Sequence, residues 1–150
     1  MTKFRTVLVQ YAAWSALSLG TLLPAQAQDL PTDAQLQAAF GTMYNRLGLI
    51  EYCADKGFAT AADVVNTRRM VDATVAGMTV EDAAREQEHI GRRGNIVGPQ
   101  LIGLLDISNP SRPEVVPEGQ TMSLANNARA QKSSERELCR QMAAQVQPAP

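Results

Sequence analysis

Cys53 and Cys139 are the residues of this chain whose chemistry is easiest to assign. They are its only two cysteines. In an exported chain of this size, such a pair favours a disulfide. A redox or zinc site would need more: there is no CxxC, and His89 is the single histidine available to join them. The enclosed loop spans 86 positions. In the chain-entropy model, closing a loop of that length is worth roughly 4–5 kcal/mol. His89 lies in Glu86-Gln87-Glu88-His89. General acid–base work needs a positioned partner and a perturbed pKa, and the sequence supplies neither. The residue reads as a solvated histidine near a helix C-terminus, with pH sensing as its alternative use.

The stretch Gly91-Arg92-Arg93-Gly94-Asn95-Ile96-Val97-Gly98-Pro99 is a turn-rich connector. Arg92 and Arg93 could hold an anion or a lipid phosphate there, through guanidinium forks and backbone N–H groups. The alternative is a loop that simply ends a helix. It is not the phosphate-cradling GxxxxGK[ST]. Arg68-Arg69 is a second basic pair, read as a solvated helix face. With no GxSxG, no HExxH and no histidine set for zinc, the expectation is a non-enzyme with no catalytic residues, no metal and no cofactor.

These residues must be placed by a chain that begins with an address. Lys3 and Arg5 give a positive start, Val7 to Leu23 is mostly apolar, and Ala25-Gln26-Ala27 is a small-x-small cleavage site. Gln10, Trp14, Ser15 and Ser18 interrupt the apolar run, which is shorter than the ~20 residues a membrane span needs. Residues 1–27 are therefore expected to be a cleavable signal peptide. Residues 28–150 then form one domain with a flexible tail at 147–150, in the periplasm or secreted. Removing Lys3 and Arg5 leaves 12 basic residues against 15 acidic, a net charge of −3. No clustered positive stripe marks a nucleic-acid binder, so no nucleic acid is expected as a partner. The only tryptophan, Trp14, leaves with the signal. The remaining aromatics, Phe40, Tyr44, Tyr52 and Phe58, lie in one short stretch. The core is correspondingly thin, and a covalent constraint would help it.

The pattern predicts an all-α fold, a small helical domain of about four helices closed by one disulfide. Thr32-Asp33-Ala34-Gln35 is a capping box. Leu36, Phe40, Met43, Leu47, Ile50 and Ala54 follow at steps of 3 and 4, giving a helix over 33–55 that Gly57 ends. Gly41 and Gly48 either weaken this helix, by about 1 kcal/mol each, or let another helix come close. Thr60-Ala61-Ala62-Asp63 opens a second helix, and Gly77 suggests its end. Thr79-Val80-Glu81-Asp82 opens a third over 80–91, expected on the surface. Gln100 to Ile107 is either a short buried helix or a strand, which periodicity cannot decide at this length. Residues 109–120, with Pro110, Pro113, Pro117 and Gly119, read as an exposed loop. A last helix over 122–145 has a polar middle at 131–134, where it can break and restart on the capping box Ser134-Glu135-Arg136-Glu137.

Three stretches carry a resemblance: Tyr52-Cys53-Ala54-Asp55-Lys56-Gly57-Phe58, Gly91-Arg92-Arg93-Gly94, and Leu138-Cys139-Arg140-Gln141-Met142. Together they resemble a group of short exported proteobacterial proteins labelled as pore-forming proteins of the early secreted antigenic target family. The resemblance covers residues 52–142. It implies a helical exported protein that forms pores or takes part in secretion-linked interactions. That family's hairpin turns on a Trp-x-Gly motif, which residues 28–150 lack. The residues themselves favour an exported, non-catalytic binding or interaction module acting on an envelope protein or a membrane surface. A membrane-active pore-former is the alternative. Oligomeric state is not legible.

Overall fold

The computed structural model describes residues 30–101 and 115–146. The expected signal peptide, residues 102–114 and the expected tail lie outside the described residues. The element order is α1 (Asp33–Asp55), α2 (Ala61–Val75), α3 (Asp82–Arg92), β1 (Asn95–Val97), β2 (Gln100–Leu101), β3 (Val115–Val116), β4 (Thr121–Ser123), α4 (Leu124–Ala130) and α5 (Glu135–Ala144). The fold is all-α in character, closed by the Cys53–Cys139 disulfide, with Cα atoms 5.6 Å apart.

Local signals fix most helix ends. Thr32 and Gln35 form the reciprocal capping box at the start of α1, and Thr60 and Asp63 form another at α2. Ser134 Oγ accepts the Glu137 N–H at 3.1 Å, but this third box is only half made. The Glu137 carboxylate turns instead toward Arg140 and Gln141. The last helix does break in its polar middle, giving α4 and α5. The third helix starts differently from the expectation. Glu81, not Thr79, is the N-cap of α3, and it makes no side-chain cap. Gln37 of α1 supplies the cap from outside: its Oε1 accepts the Glu81 N–H and its Nε2 donates to the Thr79 carbonyl, both at 2.9 Å.

The connector after α3 is also a correction. Residues 95–97 are not a free turn but β1, paired antiparallel with β4 in the register Asn95↔Ser123, Ile96↔Met122, Val97↔Thr121. The start of the apolar segment at Gln100 is a strand, β2, paired with β3. Val116, inside the expected exposed loop, is buried.

The core gathers on α1. Leu49, Ile50 and Cys53 meet Ile96, Val116, Leu124, Ala128, Leu138, Cys139 and Met142. A smaller cluster joins Tyr44 and Leu47 to Val71 of α2. α3 exposes Asp82, Arg85, Glu86 and His89, yet its other side is pressed hard onto α1. The crossing runs through two glycines. A Cβ on Gly48 would lie 2.0 Å from the Glu88 carbonyl oxygen, and one on Gly91 would lie 2.1 Å from that of Asn45. Only residues without a side chain let two helix backbones approach so closely. Of the two roles open to Gly48, close approach is the one found.

Candidate functional site

The disulfide joins the last turn of α1 to the middle of α5, so the two ends of the domain are clamped at a fully buried point. A disulfide is compatible with an oxidising location. Near it, Tyr52 donates its hydroxyl proton to Glu135 at 2.7 Å, and Lys56 sits over the Tyr52 ring. Burial, and then the hydrogen bond and charge of Glu135, push the Tyr52 pKa up to about 12.

The structure separates Arg92 from Arg93. The Arg92 guanidinium is taken by carboxylates, with Nε 2.7 Å from Glu51 and Nη2 2.7 Å from Glu88. Arg68 completes the group, 2.5 Å from Glu51 and 3.0 Å from Glu88. Two arginines and two glutamates thus tie α1, α2 and α3 together with no net charge. Hydrogen bonding to Glu51 raises the pKa of Arg92 further, and hydrogen bonding to Glu88 does the same for Arg68. Arg93 is exposed at the end of α3. His89 is exposed on the outer side of α3.

The side chain that organises the connector is one the sequence did not flag. Asn45, fully buried in α1, donates from Nδ2 to the carbonyls of Gln87 (3.2 Å) and Asn95 (3.0 Å). Its Oδ1 accepts from the Val97 N–H (3.1 Å) and from Gln100 Nε2 (2.6 Å). All four hydrogen-bonding positions of the amide are used. One side chain therefore fixes α3, β1 and β2 against α1. A mid-helix asparagine looks like part of a polar face in the sequence, because its partners lie 42 to 55 residues away.

This frame holds open a cleft of about 440 Å³. Ala38, Gly41 and Thr42 of α1 form one wall, Ala83, Ala84 and Gln87 of α3 another, and Val97-Gly98-Pro99 closes the end. The volume falls in the ~300–1,000 Å³ range of small-ligand sites. Glu81 and Glu118 stand at its rim, and no cationic side chain lines it among the described residues. Gln87 Oε1 is shielded from solvent and has no hydrogen-bond partner. A buried acceptor left so costs about 1–3 kcal/mol. The terminal torsion of glutamine is soft, so the amide can turn its oxygen toward a donor in the cleft. The arrangement suits a neutral or cationic group that donates hydrogen bonds, and disfavours an anion. Such a site is built from small residues and one amide, none of which forms a recognisable motif.

Among the described residues there is no cluster of His, Cys, Asp or Glu that could hold a metal, and no helix is long and apolar enough to cross a membrane. Comparison with protein-family models, with curated proteins and with solved structures finds no match.

Proposed function

We propose that this chain is an exported, non-catalytic interaction module, working in the periplasm or beyond it, that receives a basic segment of an envelope protein in the α1–α3 cleft. The observation that carries this reading is the cleft itself. It has small walls, an amide oxygen lacking a donor, and two unpaired carboxylates at the rim, on a frame fixed by Asn45. A lysine or arginine side chain from a partner would lay its methylene stem along the alanines and its charge between Glu81 and Glu118. The membrane-active alternative has less support. α1, the helix it would insert, spends Phe40, Tyr44, Leu47, Leu49 and Ile50 on the interior of the domain.

The test is a titration of the isotope-labelled, oxidised protein with two blocked tripeptides, one with a central lysine and one with a central glutamate. The lysine peptide should shift amide signals around Gly41, Ala84, Gln87 and Gly98, and Glu118→Lys should reduce that response. A cleft that ignores the lysine peptide at millimolar concentration, or prefers the glutamate peptide, would overturn the reading.

A further inference from the structure

Among the described residues, α2 is fully buried along one edge only. Its buried residues are Asp63, Thr67 and Val71, spaced four apart. Helical geometry places Ala62, Val65, Arg69 and Asp72 on the opposite side, and the C-cap residue Ala76 follows on that side just past the end of the helix. All five are exposed, Val65 at 54%. Their spacing of 3, 4, 3 and 4 residues is the a/d spacing of a coiled-coil seam. The last four of these, Val65, Arg69, Asp72 and Ala76, with spacing 4, 3 and 4, are symmetric about the midpoint between Arg69 and Asp72. Two copies of α2 laid antiparallel across that point would set Arg69 against Asp72 of the second copy, and Val65 against Ala76 of the second copy. Each contact would occur twice. This is what a two-fold interface requires: residue i meets j, and j meets i.

Charge supplies the second observation. Arg69 and Asp72 have opposite charges and lie three residues apart, yet none of the ion pairs among the described residues includes either of them. The neighbouring Arg68 is held by Glu51 and Glu88 on the inward side. The free pair is therefore on the outward face, flanked by exposed Val65, with alanines at both ends that allow helix axes to come close. We propose that this face docks a second copy of the chain, α2 against α2, as a weak two-fold dimer. The face is separate from the cleft, so the two readings stand or fall independently.

Analytical ultracentrifugation of the purified, oxidised protein tests it, from about 10 µM to about 1 mM, because a seam of one helix per partner is small and binds weakly. The wild type should show a reversible, concentration-dependent shift from monomer to dimer. Arg69→Asp and Asp72→Arg should each weaken the association about tenfold or more, since like charges would then face each other twice per dimer. The double reversal, Arg69→Asp with Asp72→Arg, restores opposite charges across the seam and should regain association close to wild type. Both positions are exposed, so far-UV circular dichroism should show an unchanged fold in all three variants. A wild type that stays monomeric throughout would overturn the proposal. So would single reversals that leave association unchanged, or a double reversal that fails to regain it.

Discussion

Replacing Gly48 by alanine should be one of the most damaging single-methyl additions to this protein. In an isolated helix the change would help, since alanine is the better helix former by about 1 kcal/mol. Here the new Cβ would lie 2.0 Å from the Glu88 carbonyl oxygen and 2.7 Å from the Arg92 nitrogen, where real Cβ atoms keep at least 3.0 Å. Both obstacles are backbone, so α1 and α3 must separate by about 1 Å. Overpacking of this kind costs about 1–3 kcal/mol. The same separation stretches the Asn45 bonds to the carbonyls of Gln87 and Asn95, now 3.2 and 3.0 Å, and each buried polar group left unpaired adds about 1–3 kcal/mol. Allowing for the gain in propensity, the net loss is about 3–4 kcal/mol, a large part of the ~5–15 kcal/mol of an ordinary domain. For a chain of this size that lowers Tm by roughly 10–15 °C. Thermal melts of the oxidised protein by far-UV circular dichroism measure it. Gly41→Ala is the control on the same helix. Its Cβ would meet only the Gln87 side-chain Cγ at 3.2 Å and the Ala84 Cα at 3.8 Å, so it should be near neutral. A Gly48→Ala protein that melts within about 2 °C of wild type would refute the backbone-to-backbone crossing.

Three further outcomes are expected. Cys53→Ser should lower stability strongly, by up to the roughly 4–5 kcal/mol of the loop-entropy model, and reductant should lower the melting temperature of the wild type but not of the variant. Asn45→Ala removes the acceptor of the Val97 N–H, leaves Gln100 Nε2 with the Val97 carbonyl alone, and takes the Asn45 donor from the carbonyls of Gln87 and Asn95. It should cost about 3–5 kcal/mol, read as a lower urea midpoint, and the Val97 amide should lose its protection from hydrogen exchange. Tyr52 has its pKa raised to about 12, first by burial and then by Glu135, against about 10 in an unfolded chain. Its stabilising share is therefore complete below pH ~10 and is lost as pH climbs from about 10 to about 12. Tyr52→Phe should flatten the fall in urea midpoint between about pH 10 and pH 12, and an unchanged slope would contradict this.

The sequence by itself settled what depends on neighbours along the chain. The Thr32–Gln35 and Thr60–Asp63 boxes set helix starts because cap and partner are three residues apart. The 3-and-4 spacing from Leu36 to Ala54 is a helix period, and α1 runs Asp33–Asp55 as that period requires. Two cysteines in one chain leave a single intramolecular pairing, and the bridge is formed. Only tertiary structure decided the rest. In the sequence Gly48 is a weak helix position and Gly91 the start of a turn-rich connector, until two backbones meet there. Asn45 and Gln37 are polar letters in a helix until their partners, more than 40 residues away, arrive beside them. Residues 95–97 read as a turn because a strand of three residues has too few positions to show a period, and it exists only through its pairing with Thr121–Ser123. The cleft is less legible still. Its walls are alanines and glycines whose value lies in the space they leave, and an empty volume has no signature in a one-dimensional pattern.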